Sequence, residues 1–380
     1  MLTSPKTFSK GIVFCRHSFA DGIIFRVADN PWANDRSVQI RYVCNSCVYN
    51  CEVVKSYFIF MNAAVVHSFD APPRYANFPE PVAADGEVML DVIAAGLHPV
   101  VKALASGSHY RSTAALPFIP GVDGVARRQD GTRVYFGMSR APFGTLCERT
   151  VTARSMCIEV PHGLDSATVA AIANPGMSSW AALTKRAGFR TGENVLVLGA
   201  TGVAGQLAIQ IAKHLGARRV VAAGRDRKVL ERVAELGADA IVPLDQERES
   251  IVSSIHSEWM NAAIDVVLDY VWGLPAEATL QAIAKSRPQQ SASRVRFVQV
   301  GDSAGKTIQL PAAILRSSAI ELLGSGFGSA SIDELLKEVA RFFQFAQTSE
   351  LKIDIKPVPL RDVEVLWSSA GQGARFVFLP

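Results

Sequence analysis

The stretch that most restricts how this chain can fold is Val195-Leu196-Val197-Leu198-Gly199-Ala200-Thr201-Gly202-Val203-Ala204-Gly205. Four consecutive aliphatic residues run into a glycine-spaced turn, after which Val203, Leu207, Ile211 and Leu215 recur every four residues. An unbroken apolar run suits a strand buried on both faces, and a four-residue recurrence sets one apolar stripe along a helix. The stripe is therefore expected to pack on a sheet. On this reading Ala200 makes the tight turn, Gly202 leaves the backbone bare and Gly205 lets helix and strand approach closely, so that a pyrophosphate can meet the N–H groups of the helix N-terminus. Ala200 stands where the strict G-x-G-x-x-G spacing has its first glycine. The dinucleotide contacts expected from this turn are Ala200, Thr201, Gly202, Val203 and Gly205.

The same alternation continues from 194 to 323, with apolar strand candidates at Asn194–Gly199, Arg219–Ala223, Ala240–Val242, Ile264–Asp269, Val295–Val300 and Ala319–Leu323 separated by helical segments. Strands alternating with helices imply βαβ units and a doubly wound parallel sheet, an α/β fold. Gly224 ends the second strand, where a site for NAD usually carries a carboxylate for the ribose hydroxyls. Arg225, Arg227 and Lys228 follow instead, within reach of a phosphate on the adenosine ribose, while Asp226 either tips outward or weakens that site. NADPH is the expected cofactor.

Around this unit, residues 61–160 alternate short apolar runs with Gly and Pro, as at Val88–Ile93, Arg133–Phe136 and Ile158–Pro161, which reads as a β-rich domain. Ala167–Ala173 and Trp180–Leu183 suggest a buried helical bridge, and the segment from Ser331 offers an amphipathic helix through Leu335, Leu336, Val339, Phe342 and Phe343. The first sixty residues hold four of the six cysteines and precede a fresh strand-like start at Met61, so they read as an atypical, dispensable extension. Cys44, Cys47 and Cys51 begin like a metal site, but a closed tetrahedral site needs a fourth ligand, and neither Cys15 nor His67 is supported as one. No metal is expected there. The chain has 380 residues, 49% hydrophobic and 19% charged, with a net charge of +4 and no long basic run, which argues against disorder and against nucleic acid as a partner. It has neither a membrane-length apolar stretch nor a secretory leader pattern, so a cytoplasmic protein with a small-molecule partner is expected.

With a β-rich domain in front, a nucleotide unit behind and a returning tail, the chain from Met61 to Pro380 resembles the medium-chain dehydrogenase/reductase superfamily, and best its zinc-independent quinone oxidoreductase-like branch. The likeness rests on the glycine turn, on Ile119-Pro120-Gly121-Val122-Asp123-Gly124-Val125, on Gly176-Met177-Ser178-Ser179-Trp180 and on Asp265-Val266-Val267-Leu268-Asp269-Tyr270. It implies a GroES-like β-barrel catalytic domain at 61–184, completed by 318–380, a Rossmann domain at 185–317, a substrate cleft between them and a homodimer. The zinc-dependent members carry metal ligands where this chain has Val122 and Pro175, which have no electron pair to donate. No catalytic metal is therefore expected.

The same likeness supplies candidate chemistry. Tyr110 follows Gly107-Ser108-His109 and matches the active-site tyrosine of quinone oxidoreductases and enoyl thioester reductases; it is either the hydrogen-bond donor to a developing oxyanion or a tyrosine buried at the barrel rim. His98 replaces the asparagine usual in this branch, and Val101 or Lys102 sits where an aspartate is common, so His98 either bonds cofactor or substrate or is structural. Ser178 and Gly301 resemble positions on the nicotinamide half of the cofactor, and Ser325 and Phe327 resemble cleft-lining positions. The implied activity is NADPH-dependent reduction of quinones or conjugated carbonyls by hydride transfer. Two other readings stay open: an enoyl thioester reductase, and an NADPH-binding protein without turnover that acts as a redox sensor or interaction partner.

Overall fold

The apolar run and its glycine turn form the centre of a six-stranded parallel sheet in the computed structural model, which describes residues 59–380 apart from 113–114, 287–293 and 370–373, together with the backbone of a hairpin, Tyr42–Cys44 with Cys47–Tyr49. The expectations for residues 1–60 as an extension, and for Cys15, Cys44, Cys47 and Cys51, fall outside the described residues or side chains. The sheet runs Ala240–Pro243, Arg219–Gly224, Asn194–Leu198, Val266–Asp269, Val295–Gln299, Ile320–Gly324, the 3-2-1-4-5-6 order of a doubly wound nucleotide fold. Every residue of Asn194–Leu198 is buried, as a central strand covered by helices on both faces demands.

Two expectations need correction. Ile320–Gly324 pairs in parallel register with Val295–Gln299, so the nucleotide domain runs past the boundary expected at 317 and takes its sixth strand from the returning tail. The helix Val203–His214 is buried on more than its predicted stripe, because Ala208, Ile209 and Ala212 are also buried. It lies between the sheet and a second helix, Ser166–Ala181.

That second helix connects the two halves. Asp165 caps it by accepting from the Thr168 backbone N–H at 2.8 Å, and the apolar stretch Val169–Ala173 is wholly buried. The tail helix Ile332–Thr348, opened by a reciprocal Ser331/Glu334 capping box, lays Phe342 against Gly176 and Trp180 while Phe343 meets Tyr135 edge-on. One continuous apolar core thus contains Val125 and Tyr135 of the barrel, Val195 and Leu207 of the nucleotide domain, and Phe342. Glu338, which pattern reading passed over, is buried in this interface and accepts from Arg341 Nη1 at 2.6 Å and Thr184 Oγ1 at 3.2 Å.

The β-rich half opens with the antiparallel pair Phe60–Val65 and Arg74–Pro79. Its main sheet is built on Glu87–Gly96, which pairs with Asp123–Arg128 and Arg149–Ala153. The C-terminal strand Arg375–Leu379 returns to this sheet, setting Val377 opposite Gly96. The barrel therefore needs both ends of the described chain, and the nucleotide domain is inserted between them.

Candidate active site

Helices switch faces between the neighbouring strands Asn194–Leu198 and Val266–Asp269, and dinucleotides bind at the carboxyl ends of strands at such a point. The turn there is made by Gly199, at φ +88°, a left-handed conformation that strains any residue with a Cβ. Ala200 is buried at an ordinary φ, so the tight turn assigned to Ala200 belongs one residue earlier. Gly205 fulfils the close-packing expectation: a Cβ on it would stand 2.3 Å from the Gly199 carbonyl oxygen and 2.6 Å from Ala200 Cα. Gly202 is the exposed N-cap of helix Val203–His214 and brings no side chain over the helix N-terminus, whose first N–H groups lack intrahelical acceptors. Such an end suits a phosphate.

Next to the turn, Gly224 is bare for a steric reason. A Cβ there would lie 2.4 Å from Thr201 Cγ2, so the carboxylate of an NAD-type site has no room unless Thr201 moves. Asp226 is the N-cap of Arg227–Arg232, accepting from the Val229 N–H at 3.2 Å, which gives it a local role in place of weakening a phosphate site. Arg227 is already committed to Asp245, Nε to Oδ2 at 2.8 Å, and that pair holds the guanidinium further into the charged range. Only Nε is engaged, on a largely exposed side chain, so a phosphate at Arg227 would compete with Asp245. Arg225 and Lys228 are exposed and have no ion pair among the described residues.

The neighbouring strand contributes groups that the sequence motif includes without assigning them a role. Asp269 is fully buried, accepts from the Val271 and Trp272 N–H groups through Oδ1 at 2.9 Å each, and leaves Oδ2 without a partner. Burial pushes its carboxyl up to about 6 against those two bonds. Tyr270 follows, its hydroxyl 2.7 Å from Ser179 Oγ, whose single proton is within reach of both the Pro175 carbonyl at 2.9 Å and the Ala204 carbonyl at 3.2 Å. The bridging helix is thereby tied to the glycine-turn helix by Ser179, whereas the expected Ser178 is only half-buried beside it. Gly301 does sit at the crevice, since its N–H donates to the Asp269 carbonyl at 3.1 Å and a Cβ would press on Tyr270 O at 2.7 Å. The one available signal for Asp269 was a carboxylate closing an otherwise apolar strand.

A carboxyl whose folded pKa exceeds its unfolded value holds its proton more tightly when folded, so its contribution to stability is greatest below about 4 and declines as pH rises through about 6. Asp269→Asn keeps an acceptor for Val271 and Trp272 and removes the buried charge. It is expected to stabilise the protein by about 1–2 kcal/mol near pH 8 and to flatten the slope of stability between about pH 4 and 6. Denaturant titrations at both ends of that range check this, and an unchanged slope would refute it.

The barrel side of the cleft presents Tyr110, 72% exposed, so the rim-buried alternative does not hold. Its ring stacks on His109 at 4.2 Å. Phe327, in the loop after the sixth strand, meets His109 edge-on at 6.5 Å and lies under the Arg111 guanidinium at 5.2 Å. Ser325 starts that loop and donates its N–H to Gln299 O at 2.8 Å. His98 is not with them: it is 2% exposed, folded over Gly96 beneath the bridging helix, with Nε2 3.2 Å from Asp123 Oδ1 but off the hydrogen-bond line. Burial outweighs that carboxylate and depresses the imidazole pKa, with the nearby Arg375 adding to the depression. Tyr135 donates to Asp123 Oδ2 at 3.0 Å, and Arg375 to Leu97 O at 2.6 Å, completing an interior polar cluster. A group that touches substrate must be reachable, so His98 is corrected from a catalytic to an interior position. Half-buried Val122 and helix-embedded Pro175 stand as their sequence implies, without a donor atom for a metal.

Residues 203–343 match the zinc-binding dehydrogenase family. A probable NADPH-dependent quinone reductase of Emericella nidulans is 28% identical over 361 residues, covering 84% of this chain and the whole of that protein. An NADPH-dependent alkenal/one oxidoreductase of Arabidopsis thaliana chloroplasts is 29% identical over 212 residues, covering 52% of this chain and 53% of that one. The quinone oxidoreductase of Thermus thermophilus, whose structure has also been determined with NADPH, superposes with a TM-score of 0.70 at 26% identity, covering 84% of this chain and all of that one. Together with the switch-point order of the sheet, these likenesses support a chain similar to the medium-chain dehydrogenase/reductase superfamily, in its quinone oxidoreductase-like branch.

Proposed function

We propose that this protein is a zinc-independent, cytoplasmic oxidoreductase that binds NADPH at Gly199–Gly205 and reduces quinones or α,β-unsaturated carbonyls in the cleft beside Tyr110, acting as a homodimer without nucleic acid or membrane partners. The observation that carries the reading is the crevice itself: a bare helix N-terminus, an acid-free Gly224 and the cations Arg225 and Lys228, which have no ion pair among the described residues, all at the carboxyl ends of adjacent strands. These residues fit NADPH, with the turn facing the pyrophosphate, Arg225 and Lys228 the ribose phosphate, and Ser178 and Gly301 the nicotinamide half. When bound, the nicotinamide supplies a hydride, whose addition to an electron-poor acceptor leaves negative charge on the acceptor's oxygen.

Tyr110 meets that charge by donating a hydrogen bond from Oη. Ser179 and Tyr270 hold the bridging helix against the turn, so that barrel and nucleotide domain keep a fixed spacing. The lack of donor atoms on Val122 and Pro175 supports a reaction without catalytic zinc. No described helix is long and apolar enough to cross a membrane.

The test is NADPH oxidation measured across quinones, alkenals and enoyl thioesters, with and without a chelator. Turnover of quinones or alkenals that survives chelation is expected. Turnover of enoyl thioesters alone would favour the thioester reductase reading, and tight NADPH binding without oxidation of any of them would favour the non-catalytic one.

A further inference from the structure

Arg186 stands on the π-helical turn Ala182–Ala187 that ends the bridging helix, a distortion that recurs at functional positions. Its guanidinium donates from Nε to Gly324 O at 2.7 Å and from Nη1 to Ser329 O at 3.4 Å. Those carbonyls mark the two ends of the loop that follows the sixth nucleotide strand. Ser329 closes the loop internally, its hydroxyl accepting from Gly326 N at 2.9 Å and lying 2.8 Å from Gly326 O as a donor. A planar fork that reaches both ends of a short loop orients it in a way a single ammonium cannot.

The loop so held carries Phe327 across the domain boundary to Arg111 and His109, and brings Gly326 beside Tyr110, whose hydroxyl lies 3.8 Å from where a Gly326 Cβ would stand. Among the described residues no hydrogen bond joins 107–112 to 324–329. Among the described residues the mouth of the cleft is therefore bridged by ring and guanidinium–ring contacts, which are weak and individually reversible. Among the described residues Arg186, by contrast, makes its hydrogen bonds to the loop and none to Tyr110 or Arg111, so it acts on the mouth through the loop.

We propose that Phe327 is the substrate gate of this cleft, held in place by Arg186 as a positioning residue, and that it admits flat conjugated rings while rejecting bulky branched acceptors. The inference rests on the reductase reading above. A planar ligand entering beside Phe327 exchanges its edge-on contact with His109 and its contact with the Arg111 guanidinium for a stacking surface, whereas a branched one must push the loop away against the Arg186 fork and gains no stacking in return.

The test compares a naphthoquinone with a di-tert-butyl benzoquinone in wild type, Phe327→Ala, Arg186→Ala and Arg186→Lys. Phe327→Ala is expected to raise the ratio of kcat/KM for the branched quinone to that for the flat one on the order of tenfold. Arg186→Ala should shift the ratio in the same direction, with Arg186→Lys between it and wild type because one of two carbonyl contacts survives. Hydrogen exchange without any substrate provides the second readout: amides of 325–329 and 109–111 should exchange faster in Arg186→Ala, or in Arg186→Lys if the alanine variant does not fold. An unchanged ratio in Phe327→Ala with naphthoquinone turnover retained, or unchanged exchange in the Arg186 variants, would overturn the gate. A wild type that reduces neither these quinones nor any alkenal or enoyl thioester overturns the reductase reading instead, and the exchange measurement still decides whether Arg186 holds the loop.

Discussion

Tyr110→Phe should lower kcat by ~10²–10³ while leaving the Kd for NADPH unchanged, since a single hydrogen-bond donor aimed at a developing oxyanion is worth about that much. The substitution suits the question because it retains the ring and its 4.2 Å stack on His109 and removes only the hydroxyl. At 72% exposure the folded state loses little, within about 0.5 kcal/mol for a surface change of this kind. A kinetic loss would therefore not be a folding loss. Steady-state rates with a quinone, alongside a cofactor titration, separate the two. If kcat is unaltered with NADPH binding intact, Tyr110 shapes the cleft without donating to the substrate, and a water takes over the oxyanion.

Arg225→Ala combined with Lys228→Ala should raise the Kd for NADPH at least about tenfold, and toward a hundredfold if both contacts are fully made, while barely altering NADH. A charge-assisted contact to phosphate contributes ~1.5–3 kcal/mol, and ~1.4 kcal/mol is already a factor of ten. Both side chains are exposed and free of ion pairs among the described residues, so nothing must be broken before they meet a phosphate. Arg227 is left intact in this variant because Asp245 already holds it. Exposed charges are screened over about 8–10 Å at ordinary ionic strength, so added salt should narrow the wild-type preference for NADPH. Equal weakening of both cofactors in the double variant, or equal wild-type affinities, would remove the phosphate assignment and leave the glycine turn as it stands.

Local pattern determined most of the nucleotide domain. Val195–Leu198 reads as a buried strand because four adjacent aliphatic residues have nowhere else to go, and the four-residue recurrence after Gly202 reads as a helix because 3.6 residues make a turn. The missing acid at Gly224 is likewise visible in one dimension. The turn was misplaced by one residue, to Ala200, because motif spacing is blind to the sign of φ that Gly199 adopts.

The tertiary structure alone decided the groups whose meaning lies in contacts between distant segments. Ser179 and not Ser178 reaches Tyr270, 91 residues away, since one step along a helix turns a side chain by about 100°. The same holds for Arg186, whose loop partner Gly324 is 138 residues away. His98 moved from the cleft to the interior, and Asp269 from a motif letter at a strand end to a buried carboxyl pushed up to about 6, because burial is a property of everything packed around a residue. Charge, reach and pKa at this site are set by that packing, which no stretch of neighbouring letters encodes.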